Sequence, residues 1–278
     1  MRRVIAVILL ALLPPMCGGA GQVFGHPRSI VHAVTASCTA PSSANFSYRW
    51  WGDNSANECG SGHTACASGN TSLYQATDGI GTNQFQQGTA ADQPTWTASE
   101  INGHAAFLFN GSSDTMGSSA GTSWPNTVYA TFEVTTAPGS GGFIDVIEVA
   151  HGYGQLGSLS VYSSSGVLHA AITDGASNVL LVGTKVLSAN TWYTFAATMT
   201  PSGAIDLYTC SAGSCTLDNS STTTDVAGST TSNMGSQNGN YNFFNGYIAE
   251  LGISSGTALS QSTLTSTVGA WSKCQYGI

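Results

Sequence analysis

The stretch GFIDVIEVAHGYG, residues 142–154, brings two carboxylates and a histidine close together: Asp145, Glu148 and His151. The whole chain has only 14 acidic residues in 278, so such a pairing is uncommon in it. Paired carboxylates are the acid and base of glycoside hydrolysis, held about 5–5.5 Å apart in retaining enzymes and wider in inverting ones. The surrounding pattern is that of a β-strand, and side chains alternate along a strand. Asp145 then lies with Phe143 and Ile147, and Glu148 with Ile144 and Val146, on opposite faces unless a β-bulge intervenes. Three readings follow for Asp145, Glu148 and His151. They are a strand edge with its loop, a ligand or ion site at the sheet's rim, or a catalytic set.

Other residues offer binding rather than bond cleavage. Exposed aromatic rings flanked by amides suit sugars, and three stretches have that make-up: SYRWWGDN (47–54), SSAGTSWPN (118–126) and GNYNFFNGY (239–247). Trp50 and Trp51 are adjacent on a strand and point to opposite faces, so at most one is exposed. Trp124, before Pro125 in a Gly/Ser loop, is the best candidate ring, followed by Tyr153 and Tyr241. Asn110 and Asp114 in FNGSSDTM are loop oxygens that could ligate calcium or simply form Asx-turns. The repeated DxDxDG calcium loop is absent. No GxSxG elbow accompanies the many serines, and His104 and His169 sit inside apolar strand patterns. His63 lies between Cys59 and Cys66, where a surface role is expected.

The elements that must carry these residues read as strands. Helical periodicity is nearly missing, whereas β-branched and aromatic runs alternate between turn clusters. Expected strands cover 104–111, 126–134, 142–150, 158–165, 167–174, 191–200, 204–211 and 245–253. Val128, Ala130, Phe132 and Val134 share one face, as an inner sheet face should. Tyr193, Phe195 and Ala197 share another, with Trp192 opposite. The spacing predicts an all-β antiparallel sandwich or jelly roll, with one short helix after Ser260.

The N-terminus has the order of a secretory signal: Arg2 and Arg3, an apolar run over 4–13, then Gly18-Gly19-Ala20. The expected division is a signal peptide over 1–20, a loose leader over 21–44 and one β domain over 45–278. The apolar run is too short to span a bilayer, and a lipid-anchored Cys17 lacks the small residues that should precede it. Removing the signal moves the formal charge from −8 to −10. Only Arg28, Arg49, Lys185 and Lys273 then remain as cations, which excludes nucleic acid and anionic membranes as partners. Six of the seven cysteines lie beyond the signal, an even count that fits disulfides in an exported chain. Local loops suggest Cys59–Cys66 and Cys210–Cys215. The leftover Cys38–Cys274 would tie the domain's ends together. No CxxC pair supports zinc.

Three segments carry a family resemblance: 76–116, 188–211 and 244–271. The first holds Gln93-Pro94-Thr95, Ile101-Asn102-Gly103, Ala106, Phe109, Gly111 and Asp114. The second holds Trp192, Ala196 and Thr198, and the third Phe244, Gly246, Ile248, Ala249 and Glu250. Together they resemble bacterial laminin-G-like, concanavalin A-like jelly-roll domains over residues 48–274. That resemblance implies binding of glycans, proteins or surfaces, often with an edge calcium. The same fold class includes glycoside hydrolases and lyases, so the fold alone does not assign a function. Its laminarinase and agarase members carry E-x-D-x-x-E on one strand. Here Asp145 and Glu148 match the last two positions, and Phe143 stands where the nucleophile belongs. Phenylalanine can neither attack carbon nor stabilise an oxocarbenium ion. A lyase would also need a cation for its uronate, with Arg49 or Lys185 as the donors.

The expectation is therefore a secreted module that recognises an extracellular polysaccharide or cell-surface glycan without catalysis. The alternatives are a divergent glycoside hydrolase or polysaccharide lyase using Glu148, Asp145 and His151, and a structural or adhesive envelope or fibre module.

Overall fold

The computed structural model describes residues 38–67, 71–118, 126–149, 156–174, 178–224 and 231–278, with backbone only at 156 and 157. Two antiparallel sheets face one another. In the first, strands run side by side in the order Ser214–Thr222, Ala204–Ser211, Trp192–Met199, Asn126–Val134 and Asn245–Ser255. The far side of Asn245–Ser255 is shared by His104–Asn110 along one half and Tyr48–Trp51 along the other. Thr95–Ile101 then follows His104–Asn110.

The second sheet runs Val179–Leu187, Val167–Asp174, Leu156–Ser164, Phe143–Glu148, Ser232–Met234, Met116–Ser118, Gln84–Gln86 and Thr71–Thr77. Thr71–Thr77 also pairs with Thr95–Ile101 through its first residues, which joins the two sheets at one end. The all-β sandwich expected from the spacing is thus the observed fold, and each of the eight expected strands is present.

The core lies between the sheets, as the alternation requires. Val128, Ala130, Phe132 and Val134 point into it from the first sheet, with Phe195 and Ala197 beside them. Ile144, Val146, Ile147, Leu159, Val161 and Ile172 meet them from the second. Each fully buried side chain of this size contributes about 1.5–3 kcal/mol. Trp50 is fully buried and Trp51 is half-buried, so neither is a free ring.

The outer face of the first sheet is covered by a helical segment. Ser260 caps it, its Oγ accepting from the Thr263 N–H at 3.3 Å. The helix runs through a π-turn at Thr265–Gly269 and ends at Gly277, whose φ of 74° is the left-handed stop that glycine permits. Glu250, wholly buried on that face, fastens it. It accepts from Arg49 Nε at 2.6 Å, Trp271 Nε1 at 2.7 Å, Tyr276 Oη at 2.7 Å and Tyr129 Oη. The Arg49 guanidinium lies over the rings of Trp51 and Trp271. Disulfides join Cys38–Cys274, Cys59–Cys66 and Cys210–Cys215, the pairing read from the sequence. No helix among the described residues is long and apolar enough to cross a membrane. Three disulfides fit an oxidising, extracellular setting.

Candidate functional site

The strand Phe143–Glu148 is interrupted by a bulge. Asp145 pairs with Ser160, but the next pairs are Ile147 with Leu159 and Glu148 with Ser158. Val146 is the extra residue. An extra residue reverses the alternation from that point on, so Asp145 and Glu148 share the outer face of the second sheet. The core residues adapt to it: Val146 and Ile147 are both fully buried. The Val146 carbonyl, displaced from the regular ladder, accepts from the Gly235 N–H at 3.0 Å. Gly235 has a φ of 79°, and the ring of Phe109 occupies the place a Cβ would take, so glycine is required there.

Both carboxylates are fully buried. Asp145 Oδ1 accepts from Ser160 Oγ and, at 3.5 Å, from Thr173 Oγ1; Oδ2 has no hydrogen-bond partner. Burial pushes the Asp145 carboxyl up to about 8; the Ser160 hydroxyl opposes this, and the nearby Glu148 charge adds to it. Burial therefore favours the protonated form of Asp145. Glu148 Oε2 accepts from Asn233 Nδ2 at 2.7 Å and from the Asn238 N–H at 2.6 Å. A third carboxylate, Asp174, is buried two strands from Asp145 and accepts from the N–H and Nδ2 of Asn178.

The register places Glu148 in a line of residues that crosses the sheet. Gln75, Gln86, Gly117, Asn233, Glu148, Ser158 and Thr173 are successive cross-strand partners. At the Gly117 end this line opens into a cleft of about 540 Å³. Its lining includes Asn83, Gln84, Gln86, Gly117, Asn233 and Asn238, and none of the described lining residues is charged. Such amide side chains offer both donors and acceptors.

The remaining expected residues separate. Tyr241 is 62% exposed, three residues from Asn238, and its backbone pairs with Gln237. Asn110 and Asp114 satisfy each other. Asp114 accepts from Asn110 Nδ2 at 2.7 Å and from its N–H at 3.0 Å, while Asn110 Oδ1 accepts from the N–H groups of Ser112, Ser113 and Asp114. Burial raises the Asp114 carboxyl to about 6. These oxygens form an Asx-turn. Among the described residues, no group of three or more His, Cys, Asp or Glu is placed to hold a metal. Trp124, His151 and Tyr153 lie outside the described residues.

Neither of the two cations considered for a uronate serves that role. Arg49 is paired with Glu250 on the first sheet, and Lys185 is on a strand three away from Glu148, roughly 14 Å at ordinary strand spacing. The sequence reading missed Gln86, Gly117, Asn233 and Asn238. Asn238 directly precedes the flagged stretch 239–247, but amides and glycines are too common in this chain to single out the others.

No protein-family model matches the chain, and no curated protein matches it in sequence. Solved structures with the same fold do. A point mutant of a GH54 α-L-arabinofuranosidase soaked with 4-nitrophenyl α-L-arabinofuranoside superposes with a TM-score of 0.59 at 15% identity, over 86% of this chain and 63% of that one. An arabinofuranosidase complexed with arabinofuranosyl-α-1,2-xylobiose gives 0.58 at 16% identity, over 85% and 60%. The receptor-binding domain of a botulinum neurotoxin mosaic of serotypes C and D gives 0.50 at 15%, over 80% and 49%. The chain thus spans under two thirds of each of these proteins, and at such identities the likeness is one of fold.

Proposed function

We propose that this protein is an extracellular glycan-recognition module that takes its ligand in the amide-lined cleft of the second sheet. The observation that carries the reading is the cleft itself. It is uncharged, about 540 Å³, and fed by a cross-sheet line of polar residues. Its volume is in the range of small-ligand sites, and its amides supply the donors and acceptors that a many-hydroxyl ligand needs. Tyr241 stands exposed on the neighbouring loop as a surface on which a sugar ring can stack. The laminin-G-like resemblance and structural neighbours that include arabinofuranosidases support a carbohydrate ligand. Burial of Glu148, with Oε2 engaged by Asn233 and Asn238, supports a binding role over a catalytic one.

A divergent glycoside hydrolase is the second reading, favoured by the Val146 bulge. It puts Asp145, whose carboxyl burial raises to about 8, on one face with Glu148, and a carboxyl raised in this way is suited to act as a general acid. Incubation with a polysaccharide panel tests both. Retention on a polymer without new reducing ends or unsaturated uronates supports recognition. New chain ends that vanish in Glu148→Gln would establish the hydrolase instead. Neither retention nor product on any polymer would sink both.

A further inference from the structure

Asn233 has its amide orientation set from behind. Its Nδ2 donates to Glu148 Oε2 at 2.7 Å, so its Oδ1 is turned the other way. That oxygen lies between two glycines: a Cβ built on Gly117 would sit 3.8 Å from it, and one on Gly239 3.9 Å from it. Gly117 is exposed at the floor of the cleft, and nothing else lies near its missing side chain. The slot therefore presents a fixed acceptor, framed by two residues without side chains, to whatever enters.

Resting on the glycan reading above, we infer that Asn233 Oδ1 is a specificity-determining acceptor and that the cleft takes a neutral saccharide, with a sugar ring seated over Gly117. A sugar hydroxyl can donate to Oδ1, whereas an ionised carboxylate or sulfate has no proton to give. Among the described residues no charged side chain lines the cleft, so these residues offer an anionic ligand no charged partner for the water it loses. Binding sites that hydrogen-bond a hydroxyl discriminate strongly, because the wrong ligand leaves their polar groups unpaired.

The test is calorimetry of the wild-type protein with cellopentaose, xylopentaose and α-1,5-arabinopentaose, against pentagalacturonate and sulfated cellopentaose, at low and high salt. At least one neutral sugar is expected to bind, and the acidic ones to bind at neither salt. Gly117→Val projects two methyl groups into the seat and is expected to weaken the neutral sugar about tenfold or more, with Gly117→Ala intermediate. Melting temperatures check that both variants fold, which the open space at Gly117 predicts. Acidic sugars binding as well as neutral ones would overturn the selectivity while leaving glycan recognition standing. Neutral binding untouched by Gly117→Val in a folded protein would overturn the seat. Binding of none of the five would remove the underlying reading as well.

Discussion

Asp145 and Glu148 share a face of their strand because Val146 is bulged out of the ladder between them. Three residues apart on a regular strand, they would be separated by the sheet itself. Instead the Glu148 charge helps burial to raise the Asp145 carboxyl, and each is held by a different set of neighbours: hydroxyls for Asp145, amide donors for Glu148.

The protonated Asp145 makes stability depend on pH. Its carboxyl sits at about 8 in the folded protein, above its ordinary value, so the folded state binds the proton that the unfolded state releases. Its contribution is complete below the ordinary carboxylate range and is lost as pH rises towards 8. The expected slope is a loss of about 1.4 kcal/mol per pH unit from this group. Denaturant melts between pH 4 and pH 9 should show it, and Asp145→Asn should flatten it. An unchanged slope in the variant would assign the dependence elsewhere.

Glu148 organises the cleft through its acceptors. Glu148→Gln can still accept from Asn233 and Asn238, and is expected to cost about 1 kcal/mol and to preserve glycan retention. Glu148→Ala takes the acceptor away from both donors, the half-buried Asn233 Nδ2 and the exposed Asn238 N–H, and is expected to cost more than Glu148→Gln and to abolish retention. Equal behaviour of the two variants would contradict this role.

Glu250 gathers four donors at a buried point, one of them the Arg49 guanidinium. Glu250→Ala strands that cation and is expected to destabilise by about 3–5 kcal/mol. Replacing the pair together, with Arg49→Met and Glu250→Leu, should recover part of the loss, which urea melts of the wild type and the two variants would measure.

Reduction of the Cys38–Cys274 bond alone, by Cys38→Ser with Cys274→Ser, removes a crosslink spanning 236 residues. The expected loss is about 2–5 kcal/mol, with glycan retention unchanged below the new melting temperature.

The strands, the capped helix and the three disulfides were legible in the chain because each rests on local signals. These are alternation, a serine at the right offset, and cysteines close enough to leave one remaining pair. The Val146 bulge was not legible, since strict alternation puts Asp145 and Glu148 apart and nothing in Phe143–Glu148 marks the extra residue. The Asn233 slot was hidden for another reason. It is assembled from Gly117, Asn233 and Gly239, which only the sheet register brings together. Arg49 was considered as a ligand-neutralising group, and a partner 201 residues away, Glu250, has claimed it.

Asn245–Ser255 lies in the middle of the first sheet, flanked by Asn126–Val134 on one side and by Tyr48–Trp51 and His104–Asn110 on the other. A ribosome makes this strand after all the strands it joins. Until it emerges, the two halves of that sheet lack the strand that pairs with both, and their inner edges stay open. The first sheet is therefore completed only after residue 255 has left the ribosome.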